Sequence, residues 1–174
     1  AGHEALLQTS EFKNYLSVLL AFRSLATELQ ECVDIMLKAI HQKIYTKCSV
    51  YQPCQDNCSE EGKDTHSWCE ACKEWRKQIL KHVRERMKRN IQWDNVHSYK
   101  WPHNYRVLGK IFAHKQWEEG KLNDVPSCLA ILESCNDFEL SYSVSDLIKN
   151  IRNARNNHIG HNASLKLKDS DKVR

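Results

Sequence analysis

The feature that most constrains this chain is an unbroken helical pattern from about Glu11 to Tyr45. Apolar side chains recur at three- and four-residue steps, from Phe12, Leu16 and Leu19 through Leu25, Leu29, Cys32 and Leu37 to Ile44. That period lays them along one side of a helix. Neither Gly nor Pro interrupts it, and Ser10 stands where a capping residue belongs. Cys32, on the stripe, reads as a small buried hydrophobe. A helix of this length dictates helical partners, and the remaining patterns supply them.

A second helix is predicted from Trp68 to about Asn90, with Trp75, Ile79, Leu80, Val83 and Met87 as its apolar side. A shorter one fits Tyr105 to Trp117. Pro126 sits at the first turn of another, running to Cys135. The last begins near Ser143, where Ser143 and Asp146 have capping-box spacing, and turns Val144, Leu147, Ile148 and Ile151 inward. Only five Gly and three Pro in 174 residues leave too few turns for a sandwich of many short strands. The fold class is therefore all-α, a bundle of four to five helices in a single domain over residues 1–174, interrupted by a cysteine-rich insertion over 47–72.

Composition narrows the function classes. With 41% hydrophobic and 28% charged residues the chain can bury a core. The uncharged stretch from Asn14 to Phe22 falls far short of the roughly 20 residues a membrane helix needs. No secretory leader pattern opens the chain, and an intracellular location is expected. The 26 Lys and Arg against 22 Asp and Glu give a net charge of +4, which permits nucleic-acid binding without demanding it. Much of the positive charge gathers in one place. Lys73, Arg76, Lys77, Lys81, Arg84, Arg86, Lys88 and Arg89 face only Glu74 and Glu85. Such a run either tracks phosphates or is an ordinary solvated helix face. Trp93, Tyr99 and Trp101 follow it, able to stack bases but more often used to pack a loop onto a core.

The eight cysteines are clustered rather than spread. Cys48, Cys54, Cys58, Cys69 and Cys72 fall within 25 residues. Clustering points to metal ligation more than to a distributed disulfide framework. Cys69 and Cys72 form a CxxC pair at a helix start, where a short turn brings two thiolates to one side and the helix dipole favours their charge. Tetrahedral zinc needs two more ligands. Cys48 and Cys54 are the first choice, Cys58 the main competitor, and His66 and His82 outside candidates. Four protein ligands would make the zinc structural. The alternative is two disulfides in a secreted protein, to which the glycosylation triplets at Asn57 and Asn162 would belong.

The second candidate site is the run from Ile151 to His161. Arg152, Arg155 and His158 are three residues apart and follow one slowly drifting helical stripe. Gly160 can end the helix and turn His161 back toward it. Arg clamps phosphates with paired hydrogen bonds, His can take the proton of a ribose 2′-hydroxyl, and Asn156 can orient either. Arg155 and His161, with five residues between, resemble the Rx4–6H motif of HEPN domains. The likeness is greatest to the animal branch named for a DAZ-interacting zinc-finger ubiquitin ligase. Arg152 and His158 share the same spacing. A wider resemblance, to an uncharacterised vertebrate open-reading-frame family, runs through Glu11–Tyr15, Cys48 and Cys54, Cys69–Trp75, Ile79–His82, Trp101–Pro102 and Ser134–Phe138.

The HEPN resemblance implies an all-α HEPN-like fold, a homodimer in which two motifs face each other, and metal-independent cleavage of RNA to cyclic phosphate ends. It implies that Arg155 holds the phosphate, Asn156 positions it and His161 is the general base or acid, with Arg152 and His158 auxiliary. Other members have lost activity and serve as RNA-binding or dimerisation modules, which is the alternative reading.

Overall fold

Thr9, not Ser10, caps the long helix. Its side-chain oxygen accepts the Phe12 N–H at 3.2 Å, and Ser10 is already the first helical residue. The computed structural model describes residues 9–91, 93–113, 125–138, 142–154 and 156–157. Among these, α1 spans Ser10–Cys48, α2 Glu70–Lys81, α3 Val107–Ala113, α4 Val125–Ser134 and α5 Tyr142–Ala154. Short 3-10 turns occupy Thr65–Ser67, Glu85–Asn90, Trp93–Asn95 and Ser98–Lys100. No strand occurs among the described residues, and the fold is all-α. The described residues divide into two compact units, those within 1–29 and 140–174 and those within 30–139.

The core of the second unit follows the sequence period. Val33, Leu37, Ile40, Ile44 and Cys48 of α1 are each at most 2% exposed. Burying one such aliphatic side chain is worth about 1.5–3 kcal/mol. Cys32 does not join them and is exposed. At about 100° per residue it is turned well away from the centre of that buried stripe. Trp75 and Ile79 of α2 are buried in the same unit, and the apolar sides of α3 and α4 pack against each other. Ile111 and Phe112 of α3 and Leu129 and Ile131 of α4 are at most 1% exposed. Trp101 is fully buried beside Trp68 and Trp93, with ring centroids 5.8 and 5.9 Å away. Its carbonyl accepts a hydrogen bond from His41 Nε2 of α1 at 2.7 Å.

The second helix is shorter than its apolar period suggests. It stops at Lys81, and Val83 leaves the helix to form an antiparallel bridge with Cys135. Arg84 N–H donates to the Ser134 carbonyl and Asn136 N–H to the His82 carbonyl, both at 2.8 Å. The Asn136 amide reaches the Val83 and Lys81 carbonyls at 2.9 and 3.3 Å. These partners satisfy carbonyls that another helical turn would have used.

For α3 the described part of the predicted span is Val107–Ala113; the rest lies outside the described residues. Pro126 takes the second position of α4. Ser143, predicted to cap α5, is already its second residue, its side chain lying outside the described set, and Asp146 is exposed. On α5, Ile148 is buried as expected, but Leu147 is 56% exposed. In the first unit it borders an open apolar groove of about 630 Å³, which Val18, Phe22 and Leu25 of α1 also line.

Candidate metal centre and the arginine–histidine segment

Between α1 and α2 the chain makes a loop that its own side chains cannot pack. Gly62, at φ 82°, provides the one left-handed turn among its described glycines. The loop is tied down by the segment Val96–Ser98. Ser98, 1% exposed, accepts the Cys58 N–H on its hydroxyl at 2.8 Å. The Ser98 N–H donates to Asn57 Oδ1 at 3.1 Å, and Ser59 donates to the Val96 carbonyl at 2.6 Å.

This anchoring gathers Cys54, Cys58, Cys69 and Cys72, whose sulfurs all lie within 4.8 Å of one another. Cys54 and Cys58 come from the loop, Cys69 is the N-cap residue of α2, and Cys72 lies in its first turn. The Cys54 and Cys58 sulfurs are 3.6 Å apart. Zn–S bonds of about 2.3 Å in a tetrahedron place sulfurs about 3.8 Å apart, so the set fits a tetrahedral ion. A disulfide holds its sulfurs at about 2.05 Å, and all eight cysteines are free thiols here.

The surroundings fit a cation as well. Cys69 N–H donates to Cys58 Sγ at 3.4 Å, and the Ser98 hydroxyl lies 3.6 Å from Cys54 Sγ. Such contacts orient and support sulfur ligands. Burial pushes the Cys72 thiol far up, with the neighbouring Cys54 adding to it. Burial and the same neighbour raise Cys58. Burial also works against charge on Cys54, but hydrogen bonds from Ser98, Cys72 and Cys58 bring it below its ordinary value. Thiolates this close repel one another, and a bound dication reverses that penalty. As a thiol Cys54 donates to the Asp56 carbonyl; as a ligand it would lose that proton.

Of the four cysteines first chosen as ligands, Cys54, Cys69 and Cys72 come together and Cys48 does not. Cys58 completes the set in its place. Cys48 is the last residue of α1, 2% exposed, and burial and then Glu74 push its thiol up to about 11. Its helix fixes it among core side chains, whereas Cys58 is held at the cluster by its N–H bond to Ser98. His66 is exposed on the Thr65–Ser67 turn, and His82 Nδ1 lies 2.5 Å from Asp137 Oδ2; neither belongs to the cluster. Sequence reasoning missed Ser98 and Asn57. The only signal for Asn57 was its glycosylation triplet, and here its amide is 2.8 Å from His97 Nδ1 while Ser59 is buried.

At the other candidate site, Arg152 lies in the last turn of α5 and is half-buried, as is Asn156 just beyond it. Arg155, His158 and His161 lie outside the described residues.

Comparison with known proteins gives one family. Residues 6–173 match the family described as "Domain of unknown function (DUF4559)". The chain belongs to the DUF4559 family. It is 25% identical to the uncharacterized protein CXorf38 homolog of Mus musculus, over 94% of this chain and 52% of that protein. The chain thus spans about half the length of that curated relative. No solved structure matches it.

In this DUF4559 domain the basic run is largely engaged by its own neighbours. Lys73, Lys77 and Lys88 pair with Glu70, Glu74 and Glu85 at 3.2, 3.4 and 2.6 Å. Arg76 stacks over the Trp93 ring at 5.5 Å, and Arg84 reaches the Phe138 carbonyl. Arg86 and Arg89 stay exposed on the 3-10 turn. Among the aromatics, Trp101 is core, Trp93 packs against it, and Tyr99 stacks on His97 at the surface. No described helix is long and apolar enough to cross a membrane.

Proposed function

We propose that this domain is an RNA-directed module of the HEPN type, braced by a structural zinc ion, that cleaves RNA without a catalytic metal. The four clustered sulfurs support the zinc assignment. A soft, four-thiolate tetrahedral set suits zinc, and its closed shell would leave no position for a reactive water. The ion would tie the loop to the start of α2. A cysteine cluster arranged as metal ligands accords with an intracellular, reducing location.

The nuclease reading rests on the Arg–Asn–His run. The observation that carries it furthest is that Arg152, in the last turn of α5, and Asn156, just beyond that helix, are both half-buried. Arg155 lies between them in sequence, and His158 and His161 follow. Arg155 would grip the scissile phosphate and stabilise its added negative charge. Asn156 would position it, with Arg152 and His158 beside it. His161 would take the proton of the 2′-hydroxyl as that oxygen attacks phosphorus, leaving a cyclic phosphate. A second copy of the chain would supply a facing motif.

The test is cleavage of labelled RNA in buffer without added divalent metal, comparing wild type with His161→Ala and Arg155→Ala. Each substitution should lower the rate by about a hundredfold or more. Equal cleavage by wild type and His161→Ala removes His161 from catalysis. Salt-sensitive RNA binding with no cleavage by any variant establishes instead the inactive binding module.

A further inference from the structure

We propose that Cys69 is a site of oxidative modification through which hydroperoxides open the cysteine cluster and release its metal; this rests on the zinc reading above. The four cysteine residues are not equally sheltered. Cys72 is 1% exposed and Cys58 8%, Cys54 is intermediate, and Cys69 is exposed. An open cleft of about 320 Å³ runs past Cys69, Cys58 and Cys54, walled by Tyr51, Gln55 and Glu70. A small, neutral oxidant therefore reaches the cluster at Cys69 first. Closed four-thiolate sites are usually inert because their sulfurs are shielded; this one presents a ligand to solvent at the first turn of a helix.

The chemistry closes within that turn. The Cys69 thiolate attacks one oxygen of hydrogen peroxide, the O–O bond breaks, and hydroxide leaves to give the sulfenic acid. The Cys72 thiolate then attacks the Cys69 sulfur and displaces a second hydroxide, forming the disulfide. Two thiolates lose two electrons in total and one peroxide gains them. Cys69 as N-cap and Cys72 in the first turn sit on one side of the helix start, and closure of their sulfurs to about 2.05 Å makes the bond. Their sulfurs already lie within 4.8 Å. With two of its four ligands consumed, the ion has no tetrahedral site left. Ordering of the loop then depends on its hydrogen bonds to the segment Val96–Ser98.

The experiment treats the zinc-loaded protein with hydrogen peroxide and follows released zinc with a chromogenic chelator, while mass spectrometry maps the first disulfide. One zinc per chain before treatment, released together with a Cys69–Cys72 disulfide, is the expected result. Cys69→His keeps a four-ligand site without the oxidisable thiol and should release zinc about tenfold more slowly or less. Should that variant fail to bind zinc, the disulfide map of the wild type decides alone. A first disulfide between any other pair, or equal release from Cys69→His that binds zinc, overturns the inference and leaves the zinc site standing. Protein that never holds zinc overturns the zinc reading itself, and this inference with it.

Discussion

His41 shows how one side chain can set a pH dependence from inside the fold. Its Nε2 faces the Trp101 carbonyl at 2.7 Å, an acceptor only, so that nitrogen carries the hydrogen. Its ring lies 5.4 Å from that of Trp75. Burial holds its pKa below the ordinary 6.5, and the hydrogen bond to Trp101 only partly offsets this. The unfolded chain takes up the proton near 6.5 while the folded protein resists it. The neutral histidine's contribution is therefore complete above about pH 6.5 and is lost as the pH falls toward its folded value. Urea midpoints of wild type should fall from pH 7 to about pH 5, and those of His41→Gln should fall less steeply, at a cost of about 1 kcal/mol in lost ring packing at pH 7. Parallel pH profiles for the two proteins would remove His41 as the source of that slope.

At the level of elements, the end of α2 is set by a residue far along the chain. Asn136 donates to the carbonyls of Lys81 and Val83, closing the helix where the apolar period alone would continue it. Asn136→Ala leaves two carbonyls without these donors and should cost about 1–2 kcal/mol in urea denaturation. Asn136→Asp, which keeps the shape but has no amide donor, should cost at least as much. An unchanged midpoint in both would mean that solvent serves those carbonyls equally well. This contrast also marks what the sequence makes legible. The stripe from Val33 to Ile44 and the CxxC pair of Cys69 and Cys72 are local patterns, and both read correctly from neighbours a turn or less apart. The stop at Lys81, the exposure of Leu147 and the choice of Cys58 over Cys48 depend on partners distant in sequence. Ser98, which fixes Cys58, is 40 residues away, and no local period encodes that contact. The arginine–histidine motif was legible as a spacing only, since spacing names residue types and their order but not their geometry.

For the whole molecule, the question is how much of the fold depends on the metal. Leu37, Ile40, Ile79, Ile111 and Leu129 are fully buried without being cluster ligands, and of the four ligands only Cys58 and Cys72 are buried in the core. The four ligands hold the loop and the first turn of α2. Metal binding therefore adds to a fold that has its own apolar core, unlike small zinc domains that have none. Removing zinc with a strong chelator should leave most of the helical circular dichroism in place. It should lower the thermal midpoint by about 5–10 °C, the effect of about 2–3 kcal/mol in a chain of this size. Proteolysis between residues 49 and 69 should quicken at the same time. Cys58→Ser should reproduce these effects without chelator and bind less than one zinc per chain. Cys48→Ser should retain its zinc, and any loss of stability there should come from core packing and persist after chelation. Loss of zinc from Cys48→Ser but not from Cys58→Ser would reverse the ligand assignment. Collapse of helicity on chelation would show that the core does not stand without the ion.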